Sequence, residues 1–170
     1  SSAMQESGLP EARLNGELTR TVFQINKFAE LVASGKHLDV KIDKADPNYG
    51  MGPRPDLRKQ NQSLGTVAIF AASNFPLAFS TAGGDSASAI AAGCAVVLKA
   101  HPSHPHTSRA VFASIQKGIA ASSQPRELFS IVDGNDPQIT HWIANHPKIS
   151  AIGFTGSGAV GKLLMEIASK

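Results

Sequence analysis

Apolar positions near the start of the chain recur at helical spacing. Leu14, Leu18, Val22, Ile25, Ala29 and Val32 stand four, four, three, four and three residues apart, one stripe along an α-helix that Gly35 closes. The pattern then breaks. Pro47, Pro53 and Pro55 interrupt residues 36–65, where Val40 and Ile42 alternate as in a short strand. This stretch reads as an extended connector whose strand edges invite pairing with another chain. From Gly65 onward short apolar runs alternate with helical patterns. The runs at 66–70, 95–98, 128–132 and 150–154 read as buried strands, and 77–92, 106–121, a short segment around Ile139, Trp142 and Ile143, and 157–168 read as helices. Strands alternating with helices in this way predict an α/β fold of Rossmann-like type, a parallel sheet with flanking helices.

Composition narrows the setting. With 42% hydrophobic residues, a chain of 170 residues can bury a core. Charged residues are 17%, below the ~25% usual for soluble domains. Together with abundant Ala, Gly and Ser, this suggests tightly packed helices or surfaces that something else covers. The one cysteine, Cys94, excludes an intrachain disulfide and a cysteine-based zinc cage. It points to a reducing compartment. No apolar run approaches the ~20 residues that span a bilayer, and no leader pattern is visible. The expectation is a cytoplasmic protein with no membrane partner. The net charge of +3 is modest, and the local basic cluster Arg54, Arg58 and Lys59 lies among prolines without aromatics, so no nucleic-acid partner is expected.

In a parallel sheet ligands bind at the carboxyl ends of the strands, which selects the loops 71–76, 99–105, 133–136 and 155–158. Asn74, after the first predicted strand, has two open readings: its amide can donate to a developing oxyanion, or it can cap the following helix. Lys99, after the second, either donates to a ribose or is a solvated strand end. His101, His104 and His106 follow, but prolines interrupt the loop and no carboxylate or thiol accompanies them in it, so no metal is expected. The last predicted strand runs into Gly156-Ser157-Gly158-Ala159-Val160-Gly161, a G-x-G-x-x-G turn opening a helix, which suits an anionic ligand. It follows the fourth strand rather than the first. Cys94 precedes the second strand at the opposite edge and reads as a small core residue rather than a nucleophile. The chain thus divides into an N-terminal helical segment (1–35), the connector with possible oligomerisation strands (36–65) and a partial dinucleotide-binding domain (66–170).

These motifs resemble the aldehyde dehydrogenase superfamily, in order and along nearly the whole chain. Asn74-Phe75-Pro76 is similar to that family's Asn-Phe-Pro signature. Ala91 to Lys99 is similar to its next strand and cofactor lysine, and Gly153 to Ser157 to its cofactor turn. Gly8-Leu9-Pro10, Arg13-Leu14, Gly16-Glu17, Arg20-Thr21, Phe28 to Val32, Arg54 to Arg58 and Ala72 to Ser80 resemble the α-ketoglutaric semialdehyde (2,5-dioxovalerate) dehydrogenase branch.

The resemblance implies NAD(P)-dependent oxidation of an aldehyde, α-ketoglutaric semialdehyde in that branch, through a cysteine thioester that a glutamate-activated water releases as the acid. It implies Asn74 in the oxyanion hole and Lys99 on the adenosine ribose. It also places Gly156 and Ser157 at the pyrophosphate, Val160 against the adenine, and Phe70, Ala71 and Ala72 along the cofactor channel. Many NAD-specific members carry a glutamate three residues after the lysine. Pro102 stands there instead, which removes repulsion toward a 2′-phosphate and tilts the expectation to NADP over NAD, with Ser103 or His101 as helpers. The nucleophile and catalytic glutamate are expected outside these residues, so the chain alone is expected to be inactive. The full-length protein is expected to be a homo-oligomer acting on a small-molecule aldehyde. The competing readings are a non-catalytic nucleotide-binding module and an oligomerisation fragment.

Overall fold

A computed structural model describes residues 1–169. The chain opens with helices α1 (Ser2–Ser7) and α2 (Glu11–Ala33). Pro10 precedes α2 in extended conformation and Glu11 sits in its first turn, while Gly35, at φ 68°, takes the left-handed turn that ends it. The apolar stripe of α2 is only partly used. Leu14 is buried, but Leu18 and Val22 are half exposed, and the polar Glu17 and Thr21 are buried instead. The cause is what α2 packs on. Glu17 Oε1 accepts the main-chain N–H groups of Ala78 (3.1 Å) and Leu77 (3.4 Å), so this face meets backbone rather than a side-chain core.

The connector folds back as an antiparallel ribbon of β1 (Lys41–Asp43) and β2 (Leu57–Lys59), with Ile42 opposite Arg58 and all six residues exposed. Then come β3 (Thr66–Phe70), α3 (Gly84–Ala91), β4 (Ala95–Lys99), α4 (Pro105–Ala121), β5 (Phe129–Val132), α5 (Pro137–Ala144), β6 (Ile149–Phe154) and α6 (Gly158–Ala168). The strands form a parallel sheet in the order β5-β4-β3-β6. Alternate residues of β3 serve two cores. Val67 and Ile69 pack with Val96, Leu98, Ile119 and Phe129 on the α3–α4 side, while Ala68 and Phe70 pack with Leu164, Ile143 and Ile152 on the α5–α6 side. Cys94 lies in the first core, 2% exposed. No helix among the described residues is long and apolar enough to cross a membrane.

The helix expected from Leu77 begins only at Gly84. Residues 77–83 form turns, because Gly83 packs where a Cβ would lie 2.7 Å from the Ala78 carbonyl oxygen, and Glu17 holds the amides of 77 and 78. Gly83 is the residue that caps α3, so the capping role open to Asn74 is excluded.

In α1 Ala3 is buried and Glu6 reaches the start of α4. Glu6 accepts from the N–H groups of His106 and Thr107, both at 2.8 Å, and from the Thr107 hydroxyl at 2.6 Å, satisfying first-turn donors of α4. Partial burial pushes the Glu6 carboxyl up, but these bonds together outweigh it and leave its pKa below the ordinary 4.5. Glu6→Ala is expected to cost about 1 kcal/mol, as for a lost helix cap. Since the folded pKa is lowered, that contribution is present above the ordinary carboxylate range and fades as pH falls through the folded value. Urea unfolding of both proteins at pH 7 and pH 4 measures it: a difference that does not shrink at pH 4 contradicts the assignment.

Candidate nucleotide-binding site

Every carboxyl end of the parallel sheet opens into one cleft of about 330 Å³. Its wall includes Phe70, Ala71, Ala72 and Ser73 after β3, and Lys99, Ala100, His101 and Pro102 after β4. Gly134 to Pro137 and Thr140 contribute after β5, and Phe154 to Ser157 with Val160 after β6. β6 lies beside β3 although it is the last strand in the chain. The glycine turn therefore stands next to the first βα loop, at the point where the strand order reverses and where ligands of such sheets bind. This accounts for a G-x-G-x-x-G after the fourth strand of the sheet.

Lys99 is 8% exposed, which rules out the solvated strand end. Its Nζ donates to the carbonyl oxygens of Ala100 (2.7 Å) and Gly134 (2.8 Å), tying the end of β4 to the loop after β5. Burial lowers its pKa, and the Asp133 carboxylate pulls it back up. An ammonium has three donors, so one remains for a ligand. His101 stands beside it, its pKa lowered by burial first and then by repulsion from His104 and Lys99.

His104 is fully buried. Its Nε2 lies 2.9 Å from the Ala72 carbonyl oxygen and its Nδ1 3.2 Å from Ser108 Oγ. A carbonyl only accepts, so Nε2 carries a proton, while Nδ1 and the serine hydroxyl share the second bond. The ring fastens the loop after β3 to α4. Nothing in the local pattern around His104 distinguishes it from its neighbours His101 and His106. The wall residues Asn135 and Asp136 fall in the selected loop 133–136 without being singled out there, and Thr140 lies outside it; Asp136-Pro137 carries a helix-start signature, for Asp136 accepts the Gln138 N–H at 2.8 Å and Pro137 opens α5.

At the last turn Ser157 Oγ accepts the Val160 N–H (3.4 Å), while the N–H groups of Gly158 and Ala159 have no intrahelical acceptor. A Cβ on Gly156 would lie 2.5 Å from the Phe154 ring, whereas one on Gly158 would meet nothing within 4 Å. The backbone is thus packed against Phe154 beneath and open above, the shape of an anion cradle. Two expected residues stand apart. Ser103 is exposed and donates its N–H to His101 Nδ1 (3.2 Å). Asn74 is exposed beyond the cleft wall, and its main-chain oxygen accepts from Arg13 (3.3 Å).

The sequence pattern of the aldehyde dehydrogenase family matches residues 2–170. The chain belongs to the aldehyde dehydrogenase family. It is 48% identical over 167 residues to alpha-ketoglutaric semialdehyde dehydrogenase 2 of Azospirillum brasilense, covering 98% of this chain and 32% of that one. It is 46% identical over 166 residues to alpha-ketoglutaric semialdehyde dehydrogenase of Acinetobacter baylyi, covering 98% and 31%. The chain therefore spans about a third of the length of these relatives. The crystal structure of an aldehyde dehydrogenase from Brucella melitensis biovar abortus superposes with a TM-score of 0.83 at 27% identity, over 99% of this chain and 32% of that one. In this aldehyde dehydrogenase segment the one cysteine sits in the core at the start of β4, away from the cleft.

Proposed function

We propose that this chain is the nucleotide-binding part of an enzyme that oxidises an aldehyde to the carboxylic acid with NAD(P), the aldehyde being α-ketoglutaric semialdehyde. The observation that carries the reading is the single cleft that joins a buried Lys99 to an open glycine turn at a helix N-terminus. The chemistry of that wall fits a dinucleotide. Lys99 offers its free donor to ribose hydroxyls, Gly156 and Ser157 with the first-turn amides of α6 take the pyrophosphate, and Val160 offers an apolar surface to the adenine. Phe70, Ala71 and Ala72 line the way toward Asn74, whose side-chain amide donates to the developing oxyanion. The bound dinucleotide supplies the oxidant. The named relatives support the semialdehyde as substrate. We place the nucleophile outside these 170 residues, because Cys94 is buried away from the cleft, and we read the full-length protein as a homo-oligomer.

NADP is favoured over NAD. Pro102 puts no carboxylate at its own position in the wall, and the His101 imidazole stands in that wall beside Lys99. A 2′-phosphate bound there raises the His101 pKa relative to the free protein, so binding takes up a proton. By linkage, affinity for NADP⁺ then grows as pH falls toward the free imidazole's ordinary 6.5 and is smallest above the complex's value. Between pH 8 and pH 6.5, where the phosphate stays mostly dianionic, the expected gain is about twofold to fourfold. Affinity for NAD⁺ stays flat. Calorimetric titration of the 170-residue chain with each nucleotide at both pH values tests this, with aldehyde added at the end expected to yield no NADPH. Saturable binding with parallel pH profiles removes the phosphate from His101. Binding of neither nucleotide removes the reading of the cleft.

A further inference from the structure

Helix α2 presents Arg13, Glu17 and Arg20 at four- and three-residue spacing, on one face. Glu17 turns inward to the amides of Leu77 and Ala78, which disperse its charge. The arginines lie outward on two aromatic rings. The Arg13 guanidinium is 4.5 Å from the centroid of Phe75 and that of Arg20 is 4.8 Å from the centroid of Phe79. The two rings meet edge to face, with centroids 5.0 Å apart at 88°. Arg13 also donates to the main-chain oxygen of Asn74 (3.3 Å). Among the described residues, neither arginine is in an ion pair.

A guanidinium resting on a ring has its orientation set by that ring and most of its in-plane donors free. Two such forks, held on rings that meet edge to face and neither of them in an ion pair, offer donors to an anion beside the residue assigned to the oxyanion. A semialdehyde of a dicarboxylic acid has an anion a few bonds from its carbonyl, so the two ends of one small molecule match the two features. We propose that Arg13 and Arg20 recognise the carboxylate end of the aldehyde substrate and so set the preference for acid-bearing aldehydes. This rests on the reading of Asn74 given above. An Arg–carboxylate fork is bidentate and charge-assisted, whereas an uncharged aldehyde leaves both forks without a ligand.

The test is the ratio of kcat/KM for α-ketoglutaric semialdehyde to that for pentanal, an uncharged aldehyde of the same carbon number, in the full-length enzyme that carries this segment. A ratio does not depend on how much of a variant folds. In the Arg13→Gln, Arg20→Gln double variant it is expected to fall at least about tenfold, chiefly through KM for the acid. In the Arg13→Lys, Arg20→Lys double variant, which keeps the charges without the forks, it is expected to fall less. A ratio that stays within twofold in the glutamine variant overturns the inference and leaves the dehydrogenase reading standing, as does a wild-type enzyme with no preference for the acid. A full-length enzyme that oxidises neither aldehyde overturns both.

Discussion

Replacing Lys99 by alanine is expected to weaken binding of NADP⁺ and NAD⁺ by about 2 kcal/mol, roughly thirtyfold, the usual worth of a hydrogen bond to a charged group. The ammonium is buried at the mouth of the cleft, and two of its donors are spent on Ala100 and Gly134. Those bonds fix where the third points. The alanine variant removes that donor and frees the loop after β5, so part of the loss comes from a less ordered wall. Lys117, on the exposed surface of α4, is the matched control, and Lys117→Ala is expected to leave affinity unchanged. Calorimetry on the three proteins decides. Equal affinity in wild type and Lys99→Ala rules the cleft out as the nucleotide site.

His104→Ala should cost about 3 kcal/mol of stability, the sum of a large-to-small cavity and stranded hydrogen-bonding groups. The ring is fully buried, and its removal leaves the Ala72 carbonyl and the Ser108 hydroxyl without their partner. His104→Leu separates the two causes. It refills most of the volume but restores neither bond, so its expected cost is about half as large. The loop at Ala72 lines the cleft, hence both variants should also bind nucleotide less tightly than their stability alone explains. Urea unfolding gives the stability. A loss under about 1 kcal/mol for alanine would mean the ring is not the tether described.

The strands and most helices were legible in the chain because local chemistry decided them. Apolar β-branched runs such as Val67 to Phe70 and Ala95 to Leu98 have one use in a small α/β domain, and Gly134 and Ser157 punctuate the segments they border. The four loops followed from the parallel arrangement, and each contributes residues to one cleft, with Asn74 and Ser103 outside its wall. What the pattern hid depended on distant partners. Leu77 to Ala82 has helical composition, yet Glu17, sixty residues earlier, takes its amides and Gly83 folds against its carbonyl. Leu18 and Val22 have the spacing of core residues, yet the face of α2 buried there carries Glu17 and Thr21, with Glu17 on backbone amides. Neither the position of β6 beside β3 nor the tether at His104 has any local signature, since both are relations between segments far apart in the chain.

That sheet order also sets what it costs to close the cleft. Thr66 pairs with Ala95 on one side but with Ile149 on the other, a separation of 83 residues (149 − 66) against 29 (95 − 66). Closing the longer loop costs more chain entropy, and non-local pairings of this kind slow folding. The Lys99 half of the wall is built from near neighbours, whereas the glycine turn arrives only with the most distant strand. The two sides of the cleft thus differ in closure cost: the wall at Lys99 needs the shorter loop, and the cradle at Ser157 the longer one.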